Sequence, residues 1–414
     1  MSDNSIRVVE LFAGVGGFRL GFERCSDRFQ TVWANQWEPG EKSQHAFGCY
    51  TTHFGSSARH VNKDIAEAKG GVPEHDLLCG GFPCQDYSVA RTGARGIEGK
   101  KGVLWWDIRD IKEQQRPPYV LLENVDRLIK SPTLQRGRDF AVILRCLMDL
   151  GYNVEWRVVN AAEYGEAQRR RRVFIFAFHN EVSLSNQLEQ TFNDNADSLN
   201  VLNWIRKDGF FANSFPVHRI SSDIGFSNHI DISRASYLDL PTLSENFRAN
   251  FSSAGLATQY RVYTADVVPQ NTEARTLRDI REGKAVDERF FLNENLEKWV
   301  FLKGAKRIPR IKPNGEMYFY SEGGMSFPDD LDKPARTMLT SESSVNRSTH
   351  VITDAVTGKL RLLTPVECER LNGFPDEWTN TGMPLKKRYF MMGNALVVPL
   401  ITKMAKTILS YFCE

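Results

Sequence analysis

The first 180 residues alternate short apolar runs with segments of helical spacing. Residues 8–12 (VVELF) form one such run, followed by Ala13-Gly14-Val15-Gly16-Gly17 and a helix-like stretch over 19–24. Strand, glycine turn and helix in that order open a nucleotide-binding α/β domain, because glycines let backbone N–H groups face a ligand. A plain tight turn reads the same way, and G-x-G-G alone does not choose. Residues 31–35 (TVWAN) predict a second strand and 40–53 a helix. Residues 76–78 (DLL) look like the end of a buried strand. A helix is expected over 103–115, with Leu104, Trp105, Ile108 and Ile111 toward the sheet, until Pro117-Pro118 breaks it. Residues 119–122 predict a strand, 138–150 an amphipathic helix, and 154–159 and 173–178 two more strands. This rhythm predicts an α/β fold with a Rossmann-like, doubly wound, mostly parallel sheet.

After Phe178 the rhythm stops. Residues 179–197 are polar and read as loop, and 200–345 carry short mixed segments. Residues 298–312 (KWVFLKGAKRIPRIK) hold six basic residues and no acidic one, interleaved with Trp299, Phe301 and Ile308. That suits either a surface meeting phosphates or a solvated strand pair. Thr364 and Pro365 sit as N-cap and first residue of a helix that ends at Gly373. Residues 395–411 predict a last helix, with Leu396, Leu400, Met404 and Ile408 at helical spacing, packed back on the first domain. The expected division is 1–178 plus 388–414 as one domain and 179–387 as a second, smaller, mixed one.

Composition narrows the class. A chain of 414 residues suggests about two to three domains. No segment approaches the roughly 20 apolar residues of a membrane span, and residues 1–7 are too short and polar for a signal peptide. Seven cysteines (25, 49, 79, 84, 146, 368, 413) are scattered with no CxxC pair. Neither a zinc site nor a disulfide framework is suggested, and a reducing cytoplasm fits. A net charge of +2 leaves polyanion binding to depend on where the basic residues cluster.

Candidate chemistry gathers after the predicted strands. Gly80-Gly81 permits a tight turn and close approach, Pro83 stiffens it, and Cys84 follows, with Gln85, Asp86 and Ser88 beyond. A thiol just past the carboxyl end of a strand occupies a ligand-binding edge and can act as a nucleophile; a lone cysteine can equally be a small buried apolar residue. Residues 89–102, with Gly93, Gly96, Gly99 and Gly102, read as a loop able to close over a substrate. Glu123 ends another strand on the same edge and is a candidate acid or base. Gln36, Trp37 and Glu38 follow the second strand, where a ribose and an adenine are commonly held; Trp37 serves core packing as readily. Asp64 can accept from an exocyclic amine or cap a helix. In Gln168-Arg169-Arg170-Arg171-Arg172, strand alternation sends Arg170 and Arg172 to one face and Arg169 and Arg171 to the other; a solvated phosphate-binding patch is the other reading.

The order of these blocks — ELFAGVGGF, PCQ, ENV, QRRRR, a variable region, then GNA — resembles the cytosine-5 DNA methyltransferases over residues 7–178 and about 361–411. The resemblance implies S-adenosyl-L-methionine held by Phe12, Gly14, Val15, Gly17, Trp37, Asp64, Ile65, Gly81, Pro83, Leu104, Asn394 and Ala395. It implies Cys84 as nucleophile, Glu123 as acid, and Arg170 and Arg172 as the paired arginines. It further implies Gln85, Ser88, Arg91, Asn124 and Gln168 at the DNA. Two positions depart from the pattern. Gln36 stands where a ribose-binding glutamate is common, leaving Gln36 or Glu38 for that contact, and Ala395 stands where serine is common.

The implied reaction adds the Cys84 thiolate to carbon 6 of cytosine, with Glu123 protonating ring nitrogen 3 and Arg172 bonding the ring carbonyl. It requires a base flipped out of double-stranded DNA, with the two domains clamping the duplex and 179–387 recognising the target. A monomer, paired genetically with a restriction endonuclease in a bacterial cytosol, is expected. A tRNA cytosine methyltransferase on the same scaffold is the first alternative. That branch commonly carries Cys-Phe-Thr in the variable region, whereas residues 179–360 hold no cysteine. A non-catalytic DNA-binding relative is the second, and Cys84, Glu123 and Arg172 all argue against it.

Overall fold

A computed structural model describes residues 4–82, 103–193, 198–220, 229–292, 296–312 and 314–413. It divides into two compact units, one of Met1–Tyr164, Arg171–Asn271 and Val398–Glu414, the other of Gly165–Arg170 and Thr272–Val397.

The first unit begins with β1 (Ile6–Leu11), α1 (Gly17–Glu23), β2 (Phe29–Asn35), α2 (His45–Phe54), β3 (His60–Val61) and α3 (Ile65–Ala68). β4 (Leu77–Gly81), α4 (Val103–Gln115), β5 (Tyr119–Val125), α5 (Arg138–Asp149), β6 (Tyr152–Asn160) and β7 (Arg171–His179) follow. The strands are nearly continuous apolar runs because both sheet faces are covered. β3, β2, β1, β4 and β5 lie side by side and parallel, so the expected Rossmann-like half is present. The chain reverses direction across the sheet between β1 and β4, which makes their carboxyl ends a ligand-binding edge. β7 and β6 continue the sheet with antiparallel pairing.

Residues beyond 179 extend this unit instead of leaving it. After α6 (Ser183–Asn193), α7 (Ser198–Asn203), α8 (Phe210–Ser214), β8 (Val217–Ile220), β9 (Ile230–Asp231) and α9 (Leu240–Asn246) come β10 (Ala254–Thr258), β11 (Arg261–Ala265) and β12 (Val267–Pro269). β10 pairs with β6, and β11 and β9 complete a ten-stranded sheet. The expected boundary at 178 therefore falls inside a compact unit that runs to Asn271. α5 shows why. Every residue from Asp139 to Met148 is buried, since Ile232, Leu243, Phe247 and Phe251 join the core beside it. Even Arg145 is buried, donating to Asp149 and to the Ile232 and Tyr237 carbonyls.

Local readings shift similarly. Residues 179–197 include helix α6, with Leu184 and Leu188 buried. The helix expected over 40–53 starts at His45.

The second unit carries α10 (Leu277–Ile280), α11 (Leu296–Lys303), the hairpin β13 (Lys306–Ile311) and β14 (Met317–Glu322), and the pair β15 (Val351–Thr353) and β16 (Leu360–Leu362). α12 (Pro365–Leu371) and α13 (Leu385–Asn394) end it. Thr364 caps α12 as expected, in a box with Glu367 that also takes the buried Arg361. α14 (Val398–Ser410) belongs to the first unit, where Ile401 lies so close to Gly21 of α1 that an added Cβ would meet it at 2.6 Å. It starts three residues later than expected because Ala395, which follows α13, is extended. Among the described residues no helix is long and apolar enough to cross a membrane, and no cluster of His, Cys, Asp or Glu could hold a metal.

Candidate active site

The turn after β1 is shaped by backbone that only a few residues accept. Phe12 is held at φ 54°, Gly14 at 58° and Gly16 at 87°. A side chain at Gly16 would stand 2.3 Å from the Phe54 ring, so glycine is required there. At Gly14 an added Cβ would meet only the Phe12 carbonyl, at 4.0 Å, among the described residues. Val15 and Gly17 are buried at the start of α1. The Gly14 N–H donates to Gln36 Oε1 at 2.7 Å, so Gln36 fixes the turn from the end of β2. Glu38 accepts from the Ala46 N–H at 2.8 Å, in the first turn of α2. Both side chains expected at a ribose thus already have protein partners.

Trp37 is 38 % exposed beside this turn, which removes the core-packing reading. Asp64 caps α3 by accepting from the Ala66 N–H, and Ile65 beneath it is buried. Leu104 packs partly buried against the main core. Asn35, which the sequence did not single out, ties the end of β2 to the Val61 and Lys63 carbonyls.

Under the turn lies a buried polar group that VVELF conceals. Glu10 accepts from the Tyr50 hydroxyl at 3.0 Å and lies 3.4 Å from the Arg19 N–H. Burial pushes its carboxyl up to about 7 and raises the Tyr50 phenol as well. A charged residue within an apolar strand was the available signal.

β4 and β5 bring the catalytic candidates together. Gly81 pairs in register with Glu123, and an added Cβ at Gly81 would stand 3.2 Å from the Glu123 carboxylate. Glu123 forms an ion pair with Arg172 Nε at 2.8 Å. The contact is diagonal, because Arg172 lies opposite Val125 and side chains two residues apart share a face. Arg172 Nη1 donates to the Arg171 carbonyl, and among the described residues Nη2 has no protein acceptor. Arg171, on the other face, is exposed and paired with Asp126. Pro83, Cys84, Gln85, Ser88, Arg91 and the 89–102 loop lie outside the described residues.

Three expected contacts are placed differently. Asn124 is buried, and its amide donates to the Phe82 carbonyl at 2.7 Å, so it anchors the chain leaving β4 instead of facing DNA. Gln168 is fully buried in the second unit, between Asn372 and the Met338 N–H, and is likewise an internal clamp. Arg170 parts from Arg172. It precedes β7, is buried in the second unit, and donates to the Met338 and Gly393 carbonyls. Its observed work is positioning. Gly393 itself must be glycine, since a Cβ would meet Thr340 N at 2.4 Å. Asn394 is exposed at the end of α13, and Ala395 follows it in the same unit.

Comparison with known proteins identifies the family. A family model described as C-5 cytosine-specific DNA methylase matches residues 6–410. The chain is 50 % identical over 412 residues to the type II methyltransferase M.Sau3AI of Staphylococcus aureus, covering 98 % of this chain and 96 % of that one. It is 32 % identical over 181 residues to the type II methyltransferase M.HhaI of Haemophilus parahaemolyticus, covering 44 % and 51 %. The fold resembles the crystal structure of Spodoptera frugiperda DNMT2, with TM-score 0.59 at 15 % identity over 99 % of this chain and 100 % of that one. It also resembles S. pombe Dnmt2, with TM-score 0.56 at 15 % identity over 98 % of each.

Proposed function

This chain belongs to the C-5 cytosine-specific DNA methylase family, and from that premise we propose how its residues divide the work. The enzyme is a DNA cytosine-5 methyltransferase. The observation that carries the residue assignment is the Glu123–Arg172 pair beside Gly81, on the sheet edge from which the chain leads to Cys84.

Cytosine carbon 5 is too weak a nucleophile to take a methyl group unaided. Cys84, as thiolate, forms a bond to carbon 6, and the 5,6 electron pair becomes available at carbon 5. Glu123 delivers a proton to ring nitrogen 3, which removes the negative charge building on the ring. Arg172 donates from Nη2 to the ring carbonyl oxygen and holds the same charge. After methylation, water takes the carbon 5 proton, the electron pair re-forms the 5,6 bond, the bond to Cys84 breaks with its electrons returning to sulfur, and Glu123 takes back the nitrogen 3 proton. The base must leave the duplex for these contacts.

S-adenosyl-L-methionine supplies an electrophilic methyl group when bound. The space at Gly14 among the described residues, the exposed ring of Trp37 and the Asp64 carboxylate at the start of α3 fit such a molecule. Phe12, Val15, Gly17, Ile65, Gly81, Pro83, Leu104, Asn394 and Ala395 complete the proposed set. Gln36 contributes by holding the turn in shape.

Target recognition is proposed for residues within 179–387, and the enzyme is proposed to act as a monomer in the bacterial cytosol. The 50 % identity to a type II methyltransferase supports a modification role alongside a restriction endonuclease. The test is methylation of mixed-sequence plasmid DNA with labelled S-adenosylmethionine, mapped by bisulfite sequencing, with Cys84→Ser in parallel. Carbon 5 methylation in one short context, lost in the variant, is expected. A folded wild type that binds the cofactor but leaves duplex DNA unmodified would overturn the reading.

A further inference from the structure

The second unit displays a two-stranded ribbon that the catalytic machinery does not use. Among the described residues β13 and β14 pair only with each other, from Lys306 opposite Glu322 to Ile311 opposite Met317. An isolated hairpin is marginally stable and normally buries one face. Here almost every residue of both strands is exposed, including Ile311 at 75 %, Met317 at 65 % and Phe319 at 50 % on one face and Ile308 at 38 % and Tyr320 at 37 % on the other. Large apolar side chains left on both faces of a ribbon mark a surface that meets something.

The ribbon's charges say what. Lys312 is paired with Glu316, and Glu322 with Lys306 and Arg347. Arg307 and Arg310 have no carboxylate partner among the described residues. Each guanidinium instead lies over an aromatic ring of the opposite strand, Arg307 4.3 Å from Phe319 and Arg310 3.9 Å from Tyr320. By strand alternation the two pairs sit on opposite faces. Stacking over a ring fixes the guanidinium plane and leaves its N–H edge available, which reduces the entropy lost when it binds. A two-stranded ribbon fits the major groove of B-form DNA, and the commonest base-specific contact there is an arginine donating to guanine O6 and N7.

We propose that the β13–β14 ribbon enters the major groove of the substrate duplex, where Arg307 and Arg310 donate to guanine edges and so set which site is methylated. The proposal rests on the DNA-methyltransferase reading and narrows recognition to one hairpin. The probe is a duplex carrying the site mapped for the wild type, with duplexes changed at one base pair each. The Arg307→Ala/Arg310→Ala double variant is expected to raise KM for the mapped duplex about tenfold or more, with kcat within about twofold, and to lower discrimination against changed duplexes at least about tenfold. Arg307→Lys/Arg310→Lys, which keeps charge but loses the two-pronged donor, is expected to recover KM and not discrimination. Should alanine disturb the hairpin, seen as a lowered melting temperature, the glutamine pair carries the same test.

Unchanged KM and unchanged discrimination in the folded double variant would overturn the proposal. So would a wild-type dimer that becomes monomeric in the variant with DNA kinetics unaltered, which would assign the ribbon to a second copy of the chain. Wild-type methylation of the mapped duplex is the internal control: its absence would fault the enzymatic reading, not the ribbon.

Discussion

The carboxyl edge of β1, β4 and β5 and the β13–β14 ribbon solve opposite problems with similar residues. At the sheet edge, polar groups are enclosed and bonded inside the protein. Asn124 holds Phe82, Gln36 holds Gly14, and Glu123 holds Arg172. On the ribbon, Arg307 and Arg310 stack on aromatic rings with no carboxylate partner among the described residues, and large apolar side chains stand in water. Catalysis requires donors in place before the reaction, because a preorganised group is not reoriented at the moment charge develops. Reading a surface requires donors whose partners arrive with the substrate. An arginine bonded inside the protein is therefore a poor reader, and one stacked on a ring without a carboxylate is a good one.

Arg172→Ala removes both the partner of Glu123 and the free donor edge. Loss of about a thousandfold in kcat is expected, with KM for DNA nearly unchanged, measured by steady-state methylation of the mapped duplex. A loss confined to KM would place Arg172 with the readers.

That juxtaposition was only partly legible. The strand, glycine turn and helix at the start are written locally, in Gly14, Gly16 and the apolar run before them, so their elements could be named from sequence. The diagonal contact between Glu123 and Arg172 depends on the register of β5 against β7, which no local pattern states. Strand alternation carried back from the strand at 173–178 puts Arg170 and Arg172 on one face. The strand begins at Arg171, so alternation does not govern Arg170, and its side chain is buried in another unit. The boundary at 178 failed for a related reason. β10 pairs with β6 across almost a hundred residues, and loss of the simple βα rhythm concealed that pairing.

Glu10 sharpens the enclosed side through pH. Its folded pKa, raised to about 7 by burial, exceeds that of the unfolded chain, so protonated Glu10 favours the fold and its contribution is lost as pH rises from about 4.5 through 7. Glu10→Gln keeps an acceptor for Tyr50 and removes the titration. A gain on the order of 2 kcal/mol in unfolding free energy is expected at pH 8 and none at pH 4.5, by denaturant titration at both values. An equal effect at both would show that Glu10 does not titrate in this range.

Gly80→Ala probes the closeness of β1 and β4. The new methyl would stand 2.6 Å from the Leu11 carbonyl, which is backbone and cannot swing away. Destabilisation of about 2 kcal/mol is expected, seen as a lower melting temperature, together with weaker S-adenosylmethionine binding by calorimetry as the edge opens. A variant that melts with the wild type would mean the two strands separate without cost.

The smallest effect bears most directly on the ribbon. In a core, replacing Ile311 and Met317 by serine would cost several kcal/mol through lost burial and cavities. These two face each other across the strands, yet they are 75 % and 65 % exposed and remove little apolar surface from water. Ile311→Ser/Met317→Ser is therefore expected to shift unfolding free energy by no more than about 0.5 kcal/mol. Denaturant titration checks this. A much larger loss would mean that these side chains support the fold, and the contrast between an enclosed edge and a waiting surface would no longer stand. A change within that limit would leave their exposure without a structural purpose, which is what a surface selected for its substrate requires.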